Sequence, residues 1–111
     1  MKNNFEVYFL EDARKFLASL SKEAQQKILY NIDKAKITKD PKLFKKLTST
    51  IWEFRTQYNS IQYRLFAFWD TGKNAIVIAT HGVVKKTDKV PKNDIAKAEA
   101  LKKQYLENNE K

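Results

Sequence analysis

The sequence predicts an α+β fold, in which helices pack on one sheet built around a three-stranded antiparallel meander. Apolar residues follow the order strand, helix, helix, three strands, helix along the chain. The 111 residues are 42% hydrophobic and include seven Phe, five Tyr and two Trp, so we expect a single domain spanning residues 1–111 with its own core. Two Gly, two Pro and no Cys argue against collagen, a disulfide scaffold or a disordered chain.

The first part of the chain is predicted to form one strand and a helical hairpin. Alternating apolar and polar residues indicate a strand over residues 5–10. Helical spacing begins at Glu11, and Ser21 is placed as the N-cap of a second helix. Residues 34–46 are a lysine-dense stretch, in which the helix is predicted to end before Pro41 and a loop to begin. Its lysines form either a solvated face, which we favour, or an anion-binding site.

The second part of the chain is predicted to form the meander and a last helix. Alternating residues indicate strands over residues 50–58, 61–69 and 74–81, separated by turn residues. Pro91 suits the first turn of the last helix. The apolar side of this helix carries Ile95, Ala98, Leu101, Tyr105 and Leu106.

The register of the first hairpin places two arginines side by side. A symmetric turn about Asn59 and Ser60 sets Arg55 directly opposite Arg64. Like charges in this position repel by up to about 1 kcal/mol, so we expect a surface site that an anion completes. Glu53, on the same face, provides a simpler neutralisation of Arg55.

The second hairpin is predicted to bring the single histidine to the arginines. A loop over residues 70–73 directs Ile76 and Ile78 to the core and sets His81 opposite Gln62. A lone histidine is more often structural than catalytic, but it exchanges a proton near neutral pH. Lys85, Lys86 and Lys89 follow on the same strand and loop.

The aromatic residues of the meander allow two interpretations. Trp52 and Trp69 are expected to anchor the core. Phe66 and Phe68 fall on the arginine side of the sheet, where they either stack on bases or lie beneath the last helix. Burial beneath the helix is the interpretation we favour.

The charge balance favours a polyanionic partner. Lys and Arg number 22 against 13 Asp and Glu, a net charge of +9, which favours nucleic acid. One His and no Cys cannot form a zinc site, and no nucleotide-binding glycine motif is present, so we expect neither metal nor cofactor. The longest apolar run is too short to cross a membrane, and no signal segment is evident, so we expect a cytoplasmic protein.

Several short strings stand in the order found in a known protein family. They are Lys46-Leu47, Trp52-Glu53-Phe54-Arg55, Tyr63-Arg64-Leu65-Phe66, His81-Gly82, Lys85-Lys86-Thr87 and Pro91. Together they resemble the HigB-like branch of the RelE/ParE toxin superfamily, over about residues 5–106. Val83 stands where this family commonly has an aromatic residue, and the C-terminal tyrosine of RelE has no clear counterpart.

This resemblance implies a RelE-like fold and the toxin of a type II toxin–antitoxin pair. Such toxins are ribosome-dependent mRNA endonucleases, in which an RNA 2′-hydroxyl attacks the adjacent phosphate without a metal. The implied partners are mRNA on the ribosome and a cognate helix-turn-helix antitoxin. The expected catalytic residues are Arg55, Arg64, His81, Lys85 and Lys86, and the expected RNA-binding residues are Lys45, Lys46, Gln57, Gln62 and Lys89.

One role and two other functions stay open. His81 is the first choice for the proton carrier, and Lys85 or Lys86 is the second. A ParE-like protein would use the same scaffold to inhibit a topoisomerase. A non-catalytic RNA-binding module would use the same basic face without chemistry.

Overall fold

A computed structural model describes residues 4–73, 75–87 and 89–109 and shows the expected α+β fold. The strands form one five-stranded sheet in the order β1-β5-β4-β3-β2. β1 runs parallel to β5, and the other neighbours are antiparallel. The elements are β1 Glu6–Phe9, α1 Glu11–Ala18, α2 Lys22–Thr38, β2 Phe44–Lys46, β3 Trp52–Tyr58, β4 Ile61–Asp70, β5 Ile76–Lys85 and α3 Lys92–Asn109.

The helical hairpin begins and ends as its sequence indicates. α1 starts at Glu11, directly after β1. The Ser21 hydroxyl accepts a hydrogen bond from the Ala24 amide at 3.2 Å, which confirms Ser21 as the N-cap of α2. α2 ends at Thr38, and Lys39 follows in the left-handed conformation, with φ of 54°.

The predicted end of α2 before Pro41 is confirmed, but the loop predicted to follow it contains the short strand β2. Phe44 is buried and stacks on Phe54, with ring centroids 4.3 Å apart, and on Trp52, at 4.7 Å. This aromatic anchor holds β2 against the edge of β3 even though two lysines follow Phe44. Because lysines dominate this segment, its sequence did not indicate a strand. The single buried residue, Phe44, fixes the position of the strand.

The first hairpin has the predicted register. Asn59 and Ser60 form its turn with φ of 50° and 63°, as two-residue hairpin turns with positive φ require. Arg55 pairs with Arg64, and Gln57 pairs with Gln62. We call the side of the sheet that carries these pairs the arginine face.

The predicted register of the second hairpin was wrong. Asp70 pairs with Ile76, so five residues separate the two strands, and the predicted strand start at Asn74 lies outside the described residues. A β-bulge at Thr80 then shifts the pairing by one residue. As a result, His81 pairs with Phe66 instead of Gln62.

Helices cover both sides of the sheet, so apolar side chains are buried on either side. α1 and α2 cover one side with a core that includes Phe54, Leu65 and Val77. α3 covers part of the arginine face, where its Ala98 lies in a second buried cluster. The other buried members of this cluster are Ile51, Phe66, Phe68 and Ile78. Ile78 is therefore buried on the arginine face, although the prediction directed it to the opposite side of the sheet.

The expected positions of the aromatic residues are confirmed. Trp52 and Trp69 are half-buried against the core beneath α1 and α2. Phe66 and Phe68 are fully buried beneath α3 and are therefore not a stacking platform for bases. No helix among the described residues is long and apolar enough to cross a membrane.

Gly82 explains part of the His-Gly string. A Cβ atom at Gly82 would overlap the ring of Phe16, which lies on β5 from α1. Any other residue at this position would force the Phe16 ring to move. The glycine is thus a packing requirement between α1 and the sheet.

Polar contacts fasten α3 to the sheet and its loops. The Tyr105 hydroxyl donates to the Asp70 carboxylate at 2.8 Å, and the Thr50 hydroxyl donates to Glu99 at 2.9 Å. Burial and the bond to Asp70 raise the pKa of Tyr105 to about 12. These contacts hold the middle and the C-terminal part of α3 over the buried cluster.

Candidate phosphodiester-binding site

The end of the arginine face near the Asn59-Ser60 turn forms a cleft of 270 Å³, which we call the cationic cleft. Its walls come from the last part of β3, the first part of β4 and the end of β5 with the following loop. Its lining residues are Arg55, Gln62, Arg64, Lys85, Lys86 and Thr87. The fold thus brings together four of the five expected catalytic residues and one expected RNA-binding residue.

Glu53 lies within ion-pair distance of both arginines. Its carboxylate oxygens are 3.2 Å from Nε of Arg64 and 3.5 Å from Nε of Arg55. The side chains of Glu53 and Arg64 are 3% and 6% exposed, whereas that of Arg55 is 31% exposed. The anion expected between the arginines is therefore present within the chain itself.

Arg64 is buried, which corrects the expectation of a surface residue. Its guanidinium also donates to the Tyr63 carbonyl at 3.3 Å. Because Arg64 and Glu53 are both buried, removing either one leaves the other charge in an environment of low polarity. Arg55 is the more accessible member of the pair.

Lys85 and Lys86 enter the cationic cleft from the end of β5. Beyond the bulge, Lys85 pairs with Gln62, so Lys85 and Gln62 lie on the arginine face. Lys85 is half-buried, and Lys86 and Thr87 are exposed. Two ammonium groups and two guanidinium groups therefore surround a space of the size needed for a phosphate and its ester oxygens.

His81 lies outside the cationic cleft. The residue is 2% exposed, and its ring stacks on Phe66 with centroids 4.9 Å apart. Nδ1 is 3.0 Å from the Thr80 hydroxyl, and Nε2 is 3.2 Å from the Asp94 carboxylate. Burial lowers the pKa of His81 below 6.5, and the bond to Asp94 only partly offsets this effect.

These contacts give His81 a structural location at the start of α3. Asp94 belongs to the first turn of α3, and Thr80 is the bulged residue of β5. The histidine therefore connects the bulge to the beginning of the helix. The loop that carries Lys86 and Lys89 lies between these two points in the chain.

The expected RNA-binding residues are divided between several places. Gln57 is exposed beside Gln62, and Lys89 lines an adjoining cleft of 340 Å³ that shares Arg64 with the cationic cleft. Lys45 pairs with Glu53 and so shares the arginine face. Lys46 pairs with Trp52 and has the opposite orientation, because successive strand residues alternate between the two sides.

Two residues of the site were missed or undervalued in the sequence. Thr87 lines the cationic cleft, and its only signal was its position directly after the paired lysines. Glu53 contacts both arginines, although its spacing from Arg55 suggested one contact only. Among residues 4–73, 75–87 and 89–109, no three His, Cys, Asp or Glu side chains form a group that could hold a metal ion.

Comparisons with known proteins agree with this architecture. A solved structure of the archaeal RelE-RelB complex from Pyrococcus horikoshii OT3 contains a chain that matches with a TM-score of 0.50 and 15% sequence identity, covering 73% of this chain and 94% of that chain. At this identity the match shows a RelE-like fold. A comparison with curated proteins finds no match. The model of the family described as Phage derived protein Gp49-like (DUF891) matches residues 15–103, and the chain therefore belongs to this phage-derived Gp49-like family.

Proposed function

We propose that this protein is the toxin of a type II toxin–antitoxin pair, of the HigB-like branch, and that it cleaves mRNA on the ribosome without a metal. Family membership and the RelE-like fold support the toxin assignment. The observation that carries the chemistry is the convergence of Arg55, Arg64, Lys85 and Lys86 on one cleft. Fixed cations around a phosphate stabilise the charge that develops during its attack.

The proposed reaction is an internal transesterification of RNA. The 2′-oxygen forms a bond to the adjacent phosphorus, and the bond from phosphorus to the 5′-oxygen of the next nucleotide breaks. The products are a 2′,3′-cyclic phosphate on one fragment and a 5′-hydroxyl on the other. Arg55 and Arg64 bind the non-bridging oxygens, where negative charge increases in the transition state.

Proton transfer in this proposal belongs to the paired lysines. One amine takes the proton of the 2′-hydroxyl, and the other ammonium group gives a proton to the departing 5′-oxygen. Lys85 and Lys86 line the cleft, whereas His81 is buried with both ring nitrogens in contact with Thr80 and Asp94. We therefore assign His81 to positioning the start of α3.

The proposed partners follow from the same assignment. The matching RelE chain was solved together with RelB, and we propose a cognate helix-turn-helix antitoxin for the present chain. The net charge of +9 supports attraction to ribosomal RNA and mRNA. Such a toxin acts in the cytoplasm, where its ribosomal target is.

Cleavage of mRNA on translating ribosomes tests the proposal. Magnesium is kept constant for the ribosomes, other divalent ions are varied, and the ends of the fragments are identified. We expect 2′,3′-cyclic phosphate or 3′-phosphate ends at unchanged rate, and loss of cleavage in the double variant Lys85→Ala, Lys86→Ala. Lys103→Ala, on the exposed side of α3, serves as the control.

Three results would contradict this function in different ways. A 3′-hydroxyl end would mean that water, not the RNA hydroxyl, attacks the phosphate. Intact mRNA with accumulating double-strand DNA breaks would support the ParE-like alternative. RNA that is bound but never cut, on or off the ribosome, would support the non-catalytic module.

A further inference from the structure

Glu53 is a buried carboxylate on the face that we propose binds RNA. The residue is 2% exposed and contributes to the wall of the adjoining cleft together with Arg64. A negative charge at this place repels a phosphate. RNA binding by itself therefore gives no reason for a carboxylate here.

Fold stability gives little reason for it either. Replacing a buried ion pair by apolar side chains of similar volume is often neutral or stabilising. Phe66, the cross-strand neighbour of Glu53 on β4, belongs to the apolar cluster beneath α3. Ile51, two residues before Glu53, belongs to the same cluster. An apolar residue at this position would thus extend an existing core.

The two arginines supply the reason. Arg55 and Arg64 are directly opposed on adjacent strands, and Glu53 reaches both of them, at 3.5 Å and 3.2 Å. The ion pairs form at Nε of each guanidinium, and a guanidinium has five N–H donors in a rigid plane. One carboxylate therefore lies within ion-pair distance of both guanidinium groups and offsets their mutual repulsion.

We propose that Glu53 is a positioning residue that holds Arg55 and Arg64 as a two-arginine clamp for a single phosphodiester group. The identity of the bound group rests on the proposed function. Two arginines and one carboxylate carry a net charge of +1, which matches the single negative charge of a phosphodiester. Glu53 thus weakens the attraction of the clamp for more highly charged anions, and it also sets the geometry of the clamp.

Two substitutions separate the position of the carboxylate from its charge. Glu53→Asp keeps the charge and withdraws the carboxylate by one methylene group, whereas Glu53→Gln keeps the shape and removes the charge. Glu107, exposed near the end of α3, supplies the matched controls Glu107→Asp and Glu107→Gln. Thermal unfolding of the full-length proteins measures the folded fraction of each variant.

Affinity is measured with a 2′-O-methyl oligoribonucleotide, which lacks the attacking hydroxyl, and cleavage is measured on translating ribosomes. We expect Glu53→Asp to bind about tenfold more weakly at unchanged net charge, because the clamp loses its geometry. Glu53→Gln should bind more tightly and with a steeper salt dependence. It should nevertheless cleave about 100-fold more slowly. Without the ion pairs the two guanidinium groups are no longer held in place, and misplaced groups lose most of their catalytic effect.

Two outcomes would overturn the inference. The first is a folded Glu53→Asp protein that binds and cleaves like wild type. The second is a decrease in affinity and rate that follows only the loss of folded protein, which would make Glu53 a structural residue. Failure of the wild type to cleave overturns the proposed function alone. The binding measurement needs no cleavage, so it still compares the affinity of Glu53→Asp with that of Glu107→Asp.

Discussion

Two regions of the arginine face contain titratable side chains but differ in what covers them. Beneath the first turn of α3, His81 is packed between Phe66 and Asp94 and excluded from solvent. Beyond that helix, Arg55 and Lys85 line an open cleft. The comparison shows that the covering helix, more than residue type, decides which titratable group can meet a ligand.

The electrostatic consequence differs between these regions in the same way. In the covered region, loss of water lowers the pKa of His81 and favours its neutral form. In the open region, the positive charges remain hydrated or paired with Glu53. The covered region therefore suits packing and orientation, and the open region suits binding of an anion.

Phe66→Ala is expected to have a large effect, and the effect should be on stability. Phe66 is fully buried beneath α3 and supports the ring of His81. Removing its ring should lower the free energy of unfolding by about 3–5 kcal/mol, through lost burial and the cavity left behind. Denaturant unfolding measures this change. A fully stable variant would mean that α3 does not cover this region as described.

Arg55→Ala should have its main effect on cleavage. Removal of one group that stabilises transition-state charge is expected to slow cleavage by about 100- to 1,000-fold, with the protein still folded. Arg14→Ala, an exposed arginine on α1, is the charge-matched control and should cleave normally. Equal cleavage by both variants would mean that Arg55 does not take part in cleavage.

Arg64→Ala is expected to affect both properties, unlike Arg55→Ala. Its removal leaves the buried Glu53 carboxylate without its closest arginine, which lies 3.2 Å away. Breaking a buried pair in this way costs about 3–5 kcal/mol of stability. Unfolding and single-turnover cleavage of the same preparation separate the two effects. A variant as stable as Arg55→Ala would argue against the buried position.

His81 should make the stability of the protein depend on pH. Its pKa is lowered on folding, so the unfolded chain takes up a proton more readily than the folded one. The stabilising contribution is complete above pH 6.5 and is lost as the pH falls from 6.5 through the lowered pKa. His81→Gln should therefore show a flatter stability curve between about pH 7 and 5. Parallel curves for the two proteins would contradict this assignment.

Tyr105→Phe should have the smallest effect. It removes the hydrogen bond to Asp70 at the far end of α3, which contributes about 0.5–1.5 kcal/mol. Cleavage should be unchanged, since this contact is distant in the fold from the cationic cleft. In wild type, an ultraviolet titration should show one tyrosine ionising near pH 12. Slower cleavage by the variant would mean that the contact between Tyr105 and Asp70 affects the cationic cleft.

The two hairpins show why part of the site could be predicted from sequence and part could not. The first hairpin has a two-residue turn, and both of its strands alternate regularly, so counting from Asn59 and Ser60 was enough to oppose Arg55 and Arg64. The second hairpin has a longer loop and a bulge at Thr80. Either feature alone reverses the alternation, and neither has a clear sequence signal.

The burial of the site residues also required the tertiary structure. Whether His81 is exposed depends on where α3 lies, and α3 is joined to β5 by a loop whose path local patterns do not determine. The double contact of Glu53 depends on side-chain conformations across two strands. The sequence alone therefore identified most of the residues that meet in the cleft but not the depth at which each one lies.

The Thr80 hydroxyl at the bulge has one proton and two neighbours that can accept it. Its oxygen is 3.2 Å from the Phe66 carbonyl and 3.0 Å from Nδ1 of His81. A neutral His81 that donates from Nε2 to Asp94 must accept at Nδ1, so Thr80 turns its proton to the ring. A protonated His81 donates from both nitrogens, and the hydroxyl then turns to the carbonyl. Protonation of the imidazole and the rotation of one hydroxyl are thus a single linked event, and acidification reverses the direction of a hydrogen bond inside the sheet.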